Sequence, residues 1–152
     1  MISGLELGLA EQPNERISAD TGRSLWHPDG VSSGDDVVVV PLDDDEWRLL
    51  RQVFQWGGPA RMLDDTAVLV GYDNAGAFYS DRTRLIRLVD ERRGLAPEDW
   101  RRLVVSTELL FASNVVGCGL DWSTVSGIRD DEAIMLLRSV QRKLLDVAGR
   151  RH

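Results

Sequence analysis

The chain has little of what metal-binding, disulfide-stapled and nucleotide-binding folds rely on. Its 152 residues include one cysteine, Cys118, and two histidines, His27 and His152. A lone cysteine makes no disulfide within the chain and no CxxC pair or cysteine-rich zinc site. The histidines form no HExxH pattern, there is no GxGxxG, and Lys143 is not preceded by glycine, so no phosphate-cradling loop stands out. Long apolar runs are missing as well. The longest, residues 103–116, is interrupted by Ser106, Thr107, Glu108, Ser113 and Asn114, whereas a membrane span needs ~20 mostly apolar residues. The first 16 residues carry acids by Glu6 and no cationic start, which does not read as a signal peptide. The expectation is a cytoplasmic protein with no cofactor.

Positive charge is in deficit. There are 18 basic and 25 acidic residues, a formal net charge of −7, with a pI near 4.8. That disfavours nucleic acid, which is held by cations that displace counterions from phosphates, and it disfavours anionic membrane surfaces. Lysine occurs once, at Lys143, and the other bases are arginine. Arginine suits planar two-point pairing with carboxylates.

What is present is enough apolar material, 43%, for a packed core. The length fits a single domain over 1–152, with residues 1–34 a loop-rich arm of Gly, Ser, Pro, Asn and Asp and a short strand near Leu5–Leu9. Val37-Val38-Val39-Val40 is a β-branched run that predicts a buried strand ended by Pro41. Asp43 and Glu46 form a capping-box pattern, and Trp47, Leu50, Val53 and Phe54 follow on one helical face until Gly57-Gly58-Pro59. Residues 67–72 predict a second strand. Asp73-Asn74-Ala75-Gly76 carries turn residues, and 77–79 returns as a hairpin. Asp81 is expected to cap a helix closed by Gly94. Pro97-Glu98-Asp99 opens another that buries Trp100, Leu103, Val104, Leu110, Phe111 and Val115. The last helix begins near Asp130 and presents Ile134, Leu137, Val140 and Leu144. The fold class that follows is α+β: a small antiparallel or mixed sheet of three to four strands packed by about four helices, with a helical C-terminal half.

Few residues suggest chemistry. Gly30-Val31-Ser32-Ser33-Gly34 matches G-x-S-x-G, but it precedes a strand, whereas a nucleophile elbow joins a strand to a helix. Cys118 follows a helix C-terminus, whose negative end raises rather than lowers a thiol pKa. The acidic pairs Asp64-Asp65 and Asp130-Asp131 read as helix-start charge, without the spacing of a calcium loop. Glu108 is the one acid inside the most apolar helix. Of the five tryptophans, Trp47 and Trp100 sit on apolar helical faces. Trp26, Trp56 and Trp122 lie in loops or at element ends, where they serve as partner anchors or tuck over the core.

The charge layout is the most specific feature. Residues 1–46 hold 11 acids and 2 bases, a net of −9, and the remainder holds 14 acids and 16 bases, a net of +2. An acidic surface speeds capture of a cationic partner. The leading expectation is a non-enzymatic protein-binding module, most concretely an acidic immunity- or antitoxin-type protein that neutralises a basic toxin enzyme. Its partner-binding residues would be Trp26, Asp35, Asp36, Asp43, Asp44, Asp45, Glu46 and Trp56. The alternative is a small enzyme or ligand-binding domain with a pocket near Tyr72, Glu108, Asn114, Cys118 and Asp121. A third expectation is a homodimer formed through the apolar last helices.

Overall fold

The computed structural model describes residues 36–150. The chain divides into a unit Met1–Asp36 and a unit Val37–His152, and the second is described here by itself. Six α-helices run in order: α1 Asp44–Arg51, α2 Asp64–Val70, α3 Ala75–Glu91, α4 Pro97–Ala112, α5 Trp122–Ser126 and α6 Asp130–Arg150. Short 3-10 turns at Gln52–Gln55 and Gly119–Asp121 connect them. The expected α+β class is overturned, because among the described residues there is no sheet, only two isolated bridges. The expected strand near Leu5–Leu9 lies outside the described residues.

Each wrong strand has a local cause. Residues 67–70 of the expected strand are the second half of α2, with Thr66, Ala67 and Val70 buried and Val68 and Leu69 exposed. That i, i+1, i+4 pattern is helical, and a short apolar run does not distinguish strand from helix by itself. Gly71, at φ 115°, ends α2 in the left-handed conformation that glycine adopts without steric cost. The supposed hairpin turn is a helix start: the Asn74 side chain accepts from the Ala77 N–H and caps α3. Turn and N-cap draw on the same Asn chemistry. Asp81 therefore lies inside α3 rather than capping it, and the helix ends at Arg92, at φ 55°, rather than at Gly94. With residues 77–79 helical, the valine run has no strands to join. Only Val38 pairs, antiparallel with Leu95, through two hydrogen bonds of 2.7 and 3.1 Å. The Trp100 indole N–H then donates to the Val38 carbonyl and fixes the segment to α4.

The capping box at the start of α1 forms as its spacing predicts: Asp43 accepts from the Glu46 N–H, and Glu46 accepts from the Asp43 N–H. α1 packs against α3, α4 and α6, while α2 packs against α3 and α4. One core results, with Leu49, Leu50, Trp56, Phe78, Leu85, Leu103, Leu110 and Trp122 among its fully buried side chains. Each contributes about 1.5–3 kcal/mol or more of apolar burial. Three expected core positions lie outside it. Phe54 falls in the 3-10 turn after α1, off the helical period, and is exposed. α4 ends at Ala112, so Val115 no longer follows the helical period and is 90% exposed. On α6 the buried positions are Ala133 and Val140, which turns Ile134 toward solvent. Among the described residues, no helix is long and apolar enough to cross a membrane.

Candidate functional site

The acidic start of α1 sorts its carboxylates by direction. Asp43, Asp44 and Asp45 are exposed, whereas Glu46 is 1% exposed. Helical geometry accounts for the difference, since Glu46 lies on the same face as Leu49 and Leu50. Its carboxylate receives the ammonium of Lys143 at 2.6 Å, and Lys143 also donates to the Pro41 carbonyl at 3.0 Å. The single lysine of the chain therefore ties the middle of α6 to the start of α1. Burial alone would raise the Glu46 pKa. Hydrogen bonds from Lys143, Ser139 and the Asp43 N–H, with the charge of Lys143, outweigh burial and hold it below the ordinary value. Glu46 is thus a structural carboxylate, not the exposed partner contact expected of it.

The exposed three differ in their ties. Asp43 caps α1, Asp44 pairs with Arg92 beyond the end of α3, and Asp45 has no side-chain partner among the described residues. All three stand at the positive end of the α1 dipole, which favours negative charge. Asp36 is exposed, while Asp35, Trp26 and Ser32 of the G-x-S-x-G match lie outside the described residues. Trp56 is 0% exposed and sits edge-on to Phe78, so its expected role as a surface anchor is corrected to a core role. Its position just after the 3-10 turn carries it under the surface, and Ala60 returns beside it through a bridge. Trp122 is likewise fully buried against Phe111.

The residues of the alternative pocket are tied to separate sets of neighbours. The Tyr72 hydroxyl donates to Asp81 at 2.5 Å, and Arg102 stacks over its ring with the guanidinium carbon 4.3 Å from the centroid. Arg84 then grips two carboxylates, Asp81 at 2.6 and 2.9 Å and Asp99 at 3.1 and 2.8 Å. This network joins the end of α2 to α3 and α4. Burial and the bond to Asp81 push the Tyr72 phenol well above its usual range. Burial would raise the Asp81 carboxyl too, but Arg84, Tyr72 and the Arg102 charge bring it below the ordinary value. Such a set of mutually neutralised ions holds helices together and presents no unpaired base.

Glu108 is engaged elsewhere, accepting from the Gln141 amide of α6 at 2.7 Å. Asn114, Cys118 and Asp121 share the loop after α4, where the Asn114 side chain accepts from the Leu120 N–H. Cys118 is buried, and burial together with the nearby Asp121 charge pushes its thiol pKa up, away from the thiolate needed for nucleophilic chemistry. Of the acidic pairs, Asp64 accepts from the Ala75 N–H and Asp131 pairs with Arg129. Among the described residues there is no group of three His, Cys, Asp or Glu side chains placed to hold a metal ion.

Two surface features escape a reading of the sequence. One is the loop tip carrying Val115 and Leu120, which are 90% and 85% exposed. The signal for it was Ser113-Asn114, a helix-ending pair that releases Val115 from the helical period. The other is an open groove of about 490 Å³ between α1 and α6, lined by Ile134, Met135 and Leu136 with Arg138, Ser139, Arg142, Asp43 and Glu46. None of Tyr72, Glu108, Asn114, Cys118 or Asp121 lines this groove. In comparisons with known proteins, no family model, no curated protein and no solved structure matches this chain.

Proposed function

We propose that the chain is a non-enzymatic protein-binding module whose acidic surface at the start of α1 engages a cationic protein. Its most concrete form is an immunity- or antitoxin-type protein that covers a basic toxin enzyme. The observation that carries this reading is the outward display of Asp43, Asp44 and Asp45 from one helix start, in a chain whose first 36 residues are also acid-rich in sequence. Only the fourth acid of that run, Glu46, is used by the core. Opposite charge accelerates encounter and selects the partner more than it adds affinity, so binding is expected to be fast and salt-sensitive. Trp56 and Glu46 take no direct part, because neither offers surface.

The test is parallel capture with the full chain and with a variant carrying Asp35, Asp36, Asp43, Asp44 and Asp45 each changed to Asn. The reading expects a high-pI protein to be retained by the parent chain, released by salt and lost from the variant. Retention of the same protein by both chains, at equal salt resistance, contradicts it.

A further inference from the structure

The loop after α4 is built rigidly and yet presents its apolar residues to water. Ser113 Oγ accepts from the Val115 and Val116 N–H groups, and Asn114 Oδ1 accepts from the Leu120 N–H at 3.1 Å. The Cys118 N–H donates to the Leu110 carbonyl, and the Arg61 N–H donates to the Val116 carbonyl. Both glycines are required by space. A Cβ on Gly117 would lie 2.3 Å from the Leu109 carbonyl oxygen, and one on Gly119, at φ 47°, would lie 2.5 Å from Asn114 Cα. A loop fixed this firmly cannot fold its apolar side chains inward, so Val115 and Leu120 stay exposed. Preorganised apolar projections lose little entropy on binding. Asp121 follows them, exposed and with no ion pair among the described residues.

The groove between α1 and α6 has the opposite character. It is open to solvent, its apolar lining is Ile134, Met135 and Leu136, with Ile134 and Met135 exposed, and Glu46 and Ser139 also border it. Its cations are free of carboxylates: Arg138 donates only to Gln141, and Arg142 has no partner among the described residues. Arg51, Arg84, Arg92, Arg102 and Arg129 are paired with aspartates, whereas Arg48, Arg82 and Arg101, like Arg138, donate only to uncharged oxygens. The loop thus offers two apolar projections and an unpaired carboxylate, and the groove offers an exposed apolar stripe and two arginines that make no ion pair. The groove also carries Asp43, and exposed Arg61 is bonded through its backbone to the loop.

We infer that the occupant of the groove is a second copy of this chain, with Val115 and Leu120 seated over Ile134 and Met135 and Asp121 paired with Arg142. Two such contacts related by a two-fold axis close a dimer. Burial of apolar residues at the centre supplies the affinity, and the charges fix the register. This does not require the cationic partner proposed above, and its test is independent of that partner.

The test is sedimentation velocity on the full chain over a wide concentration range at low salt. The parent chain is expected to move from its 17.0 kDa monomer toward twice that mass. Leu120→Asp and Met135→Asp, both at exposed positions, are each expected to weaken the dimer at least ~10-fold without changing the helical signal. Asp121→Arg and Arg142→Asp should each weaken it, and the two together should restore it. A parent chain that stays monomeric at every concentration overturns the inference. So does a dimer that survives Leu120→Asp and Met135→Asp, or a charge exchange without rescue. The same loop could instead enter a bilayer, so neutral phosphatidylcholine vesicles serve as a further arm. Sedimentation of the parent chain with them, abolished by Leu120→Asp, would also overturn it.

Discussion

Glu46 shows how one residue can be read correctly as local chemistry and wrongly as surface. Its place three residues after Asp43 is enough to foresee the capping box, and the box forms. What the spacing does not reveal is a lysine 97 positions away that closes on the same carboxylate. Because the Glu46 pKa is lowered on folding, the unfolded chain binds more protons as the pH falls past its ordinary value of 4.5. The stability it contributes is present above that pH and is lost as the pH drops through the lower folded value. Glu46→Gln should cost about 2 kcal/mol at neutral pH, the scale of a hydrogen bond to a charged group. Lys143 is one-third exposed, so water recovers part of its charge. Urea unfolding between neutral pH and pH below 4.5 should show the variant's deficit shrinking with acid; a deficit that grows would contradict the assignment. Cys118 gives a second check. Its burial and raised pKa predict thiol labelling limited by unfolding, and a fast native-state reaction with a thiol reagent would show an accessible thiolate instead.

At the scale of elements, the legible parts were those marked by capping chemistry and Pro. The start of α1 at Asp43, the start of α4 at Pro97 and the start of α6 at Asp130 can all be read from the sequence. The strands were misread because α2 is short and ends in an apolar run of Ala67 to Val70, and because Asn74 serves a cap as readily as a turn. Here the tertiary context decides: Thr66, Ala67 and Val70 find core neighbours only in a helix. Asn74→Ala therefore tests the reassignment. As an N-cap replacement it should cost about 1 kcal/mol in equilibrium unfolding and lower the helical circular dichroism little. A neutral effect would argue against the cap. The candidate site was partly legible in the same way. The acid run was visible as composition, but the inward turn of Glu46, the burial of Trp56 and the exposure of Val115 depend on where helices end. A single residue type does not encode that.

At the scale of the molecule, the net charge of −7 divides into uses. Among the described residues, Asp81, Asp99 and Glu46 neutralise buried or half-buried cations, and Asp90 and Asp44 pair at the surface, where a pair contributes only about 0–1 kcal/mol. Asp43 and Asp45 make no ion pair and remain available to a partner. A purely structural role for the acid run predicts that its neutralisation lowers stability through the α1 dipole, by a few tenths of a kcal/mol to ~1 per charge, and leaves binding alone. A recognition role predicts the reverse emphasis. The decisive measurement is the association rate of the full chain with a basic protein retained in the capture experiment, followed against ionic strength for the parent and for the Asp43→Asn, Asp44→Asn, Asp45→Asn variant. The proposed function predicts a parent rate that falls steeply with salt and a variant rate that is lower and nearly flat. Equal rates with equal salt dependence would contradict it.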